Sequence, residues 1–403
     1  MLSRTSPRHA RTTRRRSPLV RRIIVGIVAT LLIFVGDTSL SLYRALHNPA
    51  NGVSWMARFA EWGRTEGIGG IVTWAENEYN KLHPAKVGGV PDANAFGGGT
   101  THAVSGPLPT PPRVISPALH PYPGEGIWRP VGRVSAQGVP AVYETFVRPD
   151  SLHTSYVVGM AWMDTRLLKA QLYSGSQIPG RMGEPYKFTA PITPLASKSL
   201  VAAFNSGFRM QDANGGYYTG GKVLKALRVG AASIVVYNNG NITVGQWGRD
   251  FHSLVGVASV RQNLDLIVDH GLPAAGLDQQ NNAKWGAVTG NTYNVWRSGL
   301  GVTKDGALVY VGGPALSIAD LANLLVRAGA VEGMEADMNT DWVVYATYGN
   351  RVGFPVGAAN GTDLLNRVNA GSNAMLESPA VFFDTWWARD FYTMSYRAPY
   401  ATP

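Results

Sequence analysis

No cysteine occurs in this sequence. That absence removes disulfides, thiolate zinc sites, iron–sulfur clusters and cysteine nucleophiles together, so the chain folds on its core alone. Several enzyme signatures are missing as well: there is no GxSxG serine elbow, no P-loop and no HExxH metal pair. From residue 126 onward the histidines are His153, His252 and His270, in no metal-ligand spacing, which reads as ordinary core or surface histidine. Acids are absent from residues 1–22, and no repeat of fixed period appears anywhere.

The charge that is present is unevenly placed. Of a net charge of +10, residues 1–22 supply +8 through Arg4, Arg8, Arg11, Arg14, Arg15, Arg16, Arg21 and Arg22, leaving only +2 for the rest. The body keeps no basic face to follow phosphates, which argues against a nucleic-acid partner.

The arginines precede "IIVGIVATLLIFV", Ile23 to Val35. A basic flank followed by an apolar run marks a signal sequence or a signal anchor, oriented with its arginines in the cytoplasm. The run is short of the about 20 residues that cross a hydrocarbon core. "GDTSLSLYRAL" extends it with only Asp37 charged before Arg44. The expectation is a single-pass plasma-membrane protein of bacterial type, with a basic cytoplasmic tail over 1–22, a transmembrane signal anchor over 23–46 and an extracytoplasmic remainder. A cleaved signal peptide is the alternative.

Length allows two domains, or one large domain with appendages. With 45% hydrophobic residues and 47 glycines, the body suits a turn-rich, β-containing core. Residues 47–83 place Trp55, Phe59 and Trp62, then Ile71, Trp74 and Leu82, at helical spacing on either side of a glycine break, predicting two membrane-proximal helices. Their tryptophans suit either a membrane interface or packing on the body. Residues 84–125 are dominated by Pro and Gly without apolar period and read as an extended linker. Residues 126–403 form the main domain.

Within it, short alternating runs lie between turn signals. Asn239-Gly240 and Asp305-Gly306 sit where tight hairpins need positive φ. "SIADLANLLVRAG" predicts one strong helix, with Ser317 and Asp320 as a capping box, a stripe of Ile318, Leu321, Leu324 and Leu325, and Gly329 as its stop. The fold class is therefore α+β, mostly antiparallel sheet with a few helices, preceded by an N-terminal transmembrane helix.

Directly after that helix comes "AVEGMEADMN". As a strand it points Met334, Ala336 and Met338 into the core and Glu335, Asp337 and Asn339 the other way, with neighbours in that row roughly 7 Å apart. Two carboxylates so close repel, so one keeps its proton near neutral pH, as cleavage of a glycosidic bond requires. The same row could hold a divalent cation through oxygen ligands, although nothing here demands a cofactor. It could also be an acidic strand edge paired to arginines. "DANGG" from Asp212 imitates the start of a calcium loop but reads better as a glycine-rich turn. "FFDTWWARDFY" suits a final aromatic strand closing the core, with sugar stacking on Trp386 or Trp387 as the other reading.

Three segments in order, "VAAFNSGF", "WRSGLGVTKDGALVYV" and the capped helix followed by "AGAVEGMEADMN", resemble the phosphodiester glycosidase domain family, which includes the lysosomal uncovering enzyme and many bacterial envelope proteins. They span about residues 140–395. The resemblance implies a hydrolase of a sugar-1-phosphate diester or related glycosidic bond in a carbohydrate or envelope glycopolymer. By motif position Asp337 matches the loop aspartate, as general acid or base, and Glu335, the other catalytic candidate as its charge partner, takes the place of the family's preceding asparagine. Arg297 matches the hairpin arginine that would clamp phosphate, Asn205 the turn asparagine that would orient substrate, and Asn339 lies in the substrate-binding loop. Where that family has three glycines and a serine, this chain has Met338, Asn339, Thr340 and Asp341. The alternative is therefore a non-catalytic glycan-binding or scaffold protein on the same fold.

Overall fold

The computed structural model describes residues 18–97, 106–179, 186–278, 283–285, 294–366 and 376–401. The chain divides into two compact units, Met1–Asn48 and Pro49–Pro403. In the first, helix α1 spans Pro18–His47, with proline at its first position, where the missing N–H costs nothing. Among the described residues no helix is long and apolar enough to cross a membrane. The transmembrane anchor expected over 23–46 finds no support there, and the apolar run of the sequence stops at Val35. Beyond it come Gly36, Asp37, Thr38 and Ser39, then Ser41, Arg44 and His47, polar groups that a hydrocarbon core accepts only at a cost. The basic tail lies, as far as residue 17, outside the described residues.

The second unit opens with the two expected helices, α2 (Trp55–Thr65) and α3 (Gly69–Leu82). Ser54 caps α2 by accepting from the Ala57 N–H at 3.0 Å. The aromatic stripe is not core: Trp55, Phe59, Ile71 and Trp74 remain exposed.

Three antiparallel sheets follow. The largest runs Arg129–Pro130, Val142–Val147, Val158–Met163, Leu308–Leu316, Val295–Thr303, Ala330–Glu335, Leu266–Asp269, Leu272–Pro273. A second orders Lys222–Lys225, Tyr217–Thr219, Val257–Gln262, Ala232–Tyr237, Ile242–Gln246, and a third Gly361–Asp363, Tyr345–Tyr348, Leu200–Asn205, Phe391–Tyr396, Leu168–Tyr173. One apolar cluster joins all three, through Val142 and Met163, Ile234 and Val244, and Phe204 and Tyr392. Both glycine turns close hairpins as the sequence predicts, with φ of +79° at Gly240 and +87° at Gly306.

On its other face the largest sheet is covered by the capped helix, Ile318–Arg327, whose box is closed in both directions by Ser317 and Asp320. Ile318, Leu321, Leu324 and Leu325 are fully buried in one apolar cluster with Val268, Val309 and Val311. Each such side chain contributes roughly 1.5–3 kcal/mol. The final aromatic segment also closes the core, although its regular strand begins only at Phe391, and Phe382 and Trp387 are buried ahead of it.

Residues 84–125 correct an expectation. Their described parts, 84–97 and 106–125, lack regular secondary structure, but Ala95, Phe96, Leu108 and Val114 are buried in the two main clusters and Glu125 is fully buried in an ion pair with Arg148. Proline disfavours helix there without excluding burial, so the described parts pack on the body instead of standing off it.

Leu321→Ala should destabilise the body by about 2–5 kcal/mol through transfer and cavity costs, whereas Ser317→Ala should cost about 1 kcal/mol through the lost cap. Thermal melts of the two variants check this; a Leu321→Ala loss no larger than that of Ser317→Ala would contradict the burial described.

Candidate active site

The acid strand ends sooner than its alternation suggests. Ala330–Glu335 pairs with Val295–Thr303, in unbroken register from Val302 opposite Glu332 to Gly299 opposite Glu335. The Ser298 carbonyl then accepts from Ala336 N at 2.8 Å while Ser298 N donates to the Asp337 carbonyl at 2.7 Å. Two residues thus face one, which is a β-bulge, and a bulge re-aims the side chains that follow it. Asp337 folds back on its own loop, accepting from Met338 N at 2.8 Å and Asn339 N at 3.2 Å. Asn339 Oδ1 in turn accepts from Asp341 N at 3.0 Å. The single row of Glu335, Asp337 and Asn339 is therefore broken, and Met338 is only half-buried.

Glu335 turns instead to Arg297 and forms a fully buried ion pair. Arg297 spends its Nε on the Leu316 carbonyl at 3.0 Å, so this guanidinium is committed inside the sheet. Asn205 is buried at the end of its strand. It donates to Ser298 Oγ at 3.1 Å and accepts from the Tyr310 hydroxyl at 3.0 Å and from Val344 N at 3.3 Å. Asn263 Nδ2 donates to the carbonyls of Glu335 at 2.8 Å and Ala336 at 3.1 Å.

Around Asp337 lies a group that spacing in the sequence does not reveal. Burial raises its carboxyl to about 7, against the pull of Arg389 and the two amides, and Glu335 adds repulsion in the same direction. Burial raises Asp341 to about 6, opposed by the Val53 N–H, Arg389 and Arg58. Glu377 rises to about 8 through burial and the charge of Asp341. The positive partner of this acidic group is Arg389, stacked 4.1 Å over the Trp342 ring and itself buried. Arg209 lies nearby, bound to Asp212 at 2.7 Å. Helix α2 reaches over both arginines: Glu61 stands 3.2 Å from Arg209 and 3.6 Å from Arg389. Val53 N donates to Asp341 at 3.2 Å.

The structure thus joins Asn205 to Asp337 through Ser298, and Glu335 to Arg297. It adds Asp341, Glu377, Arg209, Arg389 and Glu61, which the sequence reading did not assign. Asp212, the start of the imitated calcium loop, is an ion-pair partner. Among the described residues, the one cluster with metal-ligand geometry is Asp269, His270 and Glu332. It lies at the other end of the strand that carries Glu335, and Arg249 already pairs with both of its carboxylates. Chemically, the Asp337 group offers a carboxyl that exchanges its proton near neutral pH and a buried cation able to hold negative charge.

No family model and no curated protein matches this sequence. In fold it is similar to the zebrafish N-acetylglucosamine-1-phosphodiester alpha-N-acetylglucosaminidase catalytic domain, auto-inhibited by its pro-peptide, over 66% of this chain and 87% of that one, at 11% identity and a TM-score of 0.39. It is also similar to a hypothetical protein from Synechocystis, over 64% and 62%, at 11% identity and a TM-score of 0.33. A Burkholderia pseudomallei protein described as exported matches over 60% and 74%, at 11% identity and a TM-score of 0.32. At these values the likeness decides nothing about chemistry.

Asp337 binds its proton more tightly folded than unfolded. Its burial therefore costs nothing well below pH 4 and destabilises progressively as pH rises toward and through about 7. Asp337→Asn should remove that penalty. The melting temperature of the variant minus that of the wild type should rise between pH 4 and pH 7, and a difference that stays flat over this range would refute the burial-driven shift.

Proposed function

We propose that the body is a hydrolase acting outside the cytoplasm on a sugar-1-phosphate diester or related glycosidic bond of envelope glycopolymer, with Asp337 as its general acid. The observation that carries this reading is the carboxyl of Asp337, held near pH 7 beside the buried cation of Arg389. The arginine-rich start followed by an apolar run supports export.

In the step that this arrangement favours, water attacks the anomeric carbon, the bond from that carbon to the leaving oxygen breaks, and Asp337 gives its proton to that oxygen. Asp341, with the lower of the raised values, is the carboxylate that takes the proton from water. Glu335 is the charge partner: paired with Arg297 in the interior, it adds to the rise of the Asp337 carboxyl that burial causes. Asn205 positions Asp337 through the Ser298 hydroxyl instead of touching substrate. Because Arg297 is committed to Glu335, the phosphate contact passes to Arg389 and Arg209. The competing reading, a glycan-binding protein without turnover, is favoured by one observation: side chains stand at Met338 to Asp341, and Asp337 already occupies two of the loop amides.

Release of free sugar from a sugar-1-phosphate diester tests the two readings. Asp337→Asn should lower turnover about 10²–10⁴-fold, the range for a lost general acid, while KM stays close to wild type. Wild-type activity should fall as pH rises above about 7, where Asp337 loses its proton. A wild-type protein that binds the sugar ester without turning it over is a binding protein, and an Asp337→Asn variant with full turnover rules out the assigned acid.

A further inference from the structure

Arg209 and Arg389 come from distant parts of the chain to one end of the third sheet. Arg209 follows the Leu200–Asn205 strand and Arg389 precedes Phe391–Tyr396. These strands pair antiparallel with Phe391 opposite Asn205, so the exit of one adjoins the entry of the other. The Tyr345–Tyr348 strand pairs on the other side, Tyr345 opposite Phe204, and brings Trp342 and Asp341 to the same end. The two guanidiniums are buried, and Arg389 Nη1 has no hydrogen-bond partner among the described residues. Burial pulls the Arg389 pKa down, the sign of a cation that its surroundings have not fully neutralised.

The group that faces both is the Glu61 carboxylate, one oxygen toward each arginine. A carboxylate bridging two guanidiniums occupies the place that a phosphate or phosphodiester would take, and a tetrahedral anion with more acceptor oxygens would also reach the unpaired Nη1. Helix α2, which delivers Glu61, is held weakly by apolar contact. Gly63 is its one buried residue, while Trp55, Met56 and Phe59 are exposed. Its ties to the body run through charge and hydrogen bonds, Glu61 to the arginines and Val53 N to Asp341.

We propose that Arg209 and Arg389 are an anion-binding pair for a phosphate or phosphodiester group, and that Glu61 is the internal occupant such an anion displaces. The pair deepens the hydrolase reading by supplying its phosphate contact, but anion binding stands or falls without turnover.

The experiment is a calorimetric titration of the full chain with inorganic phosphate, with dimethyl phosphate as a second arm to separate a free phosphate site from a diester site. Glu61→Gln should tighten phosphate binding about tenfold, because an internal competitor lowers apparent affinity in proportion to its occupancy. Adding Arg209→Met to that variant should abolish the gain. Equal affinity in wild type and Glu61→Gln overturns the proposal, as does a gain that survives Arg209→Met. Wild-type protein supplies a check that needs no variant to fold: phosphate should speed hydrogen exchange at the α2 amides, and unchanged or slower exchange overturns the displacement. Phosphate binding with no sugar release sinks the hydrolase reading alone, whereas sugar release from a chain that never binds phosphate sinks the anion pair alone.

Discussion

One hydroxyl joins the parts of the body that matter for its chemistry. Ser298 Oγ accepts from Asn205 Nδ2 of the third sheet at 3.1 Å and from Asp337 N at 3.2 Å, at the point where the acid strand leaves the first sheet. Asn205 Oδ1 binds Tyr310 and Val344, and Asn263 secures the Glu335 and Ala336 carbonyls from the second sheet. Three sheets are thereby tied to one bulge. Buried polar groups of this kind fix a single geometry because any slip would leave donors and acceptors unpaired where water cannot replace them. The direction of the Asp337 carboxyl follows from that constraint, and the group around it follows from Asp337.

Around the bulge, two kinds of buried acid are kept apart by their partners. Glu335 has its own arginine within ion-pair distance, which pulls against the burial that raises its carboxyl. Asp337 has amide donors and a cation shared with Asp341 and Glu61, and burial outweighs them. Two carboxyls two positions apart along one segment are thus both raised by burial and opposed by different cations, Arg297 for Glu335 and Arg389 for Asp337.

What the sequence discloses is what is local. The capping box of Ser317 and Asp320, the two glycine hairpins and the apolar stripe of the covering helix are set by neighbours within a few residues, and each forms as its pattern implies. The adjacency of Glu335 and Asp337 is legible too, but their separate destinations are not, because a bulge depends on what Ser298 does from the partner strand. Glu61, Arg209 and Arg389 were invisible for a related reason. Glu61 and Arg209 are 148 positions apart, and nothing near either marks it as half of a contact. Residues 84–125 misled by composition, since proline content reports the absence of helix and says little about burial.

The arginines show why Arg389 differs in kind from the one that the motif singled out. Arg148 reaches Glu125 at 3.1 Å and the carbonyl of His120 at 3.0 Å. Arg261 holds Asp390 at 2.7 Å and the carbonyl of Gln262 at 2.8 Å, and Arg297 holds Glu335 and the carbonyl of Leu316. Each has hydrogen bonds that lock it into the fold, and releasing one to meet a ligand would strand a buried carboxylate. Arg389 is buried to the same degree, yet its nearest acid stands at 3.6 Å, beyond hydrogen-bond reach, on a helix with little apolar anchorage. Unlike Arg148, Arg261 and Arg297, the guanidinium beside Asp337 therefore has no ion pair of hydrogen-bond length among the described residues that a ligand would have to break.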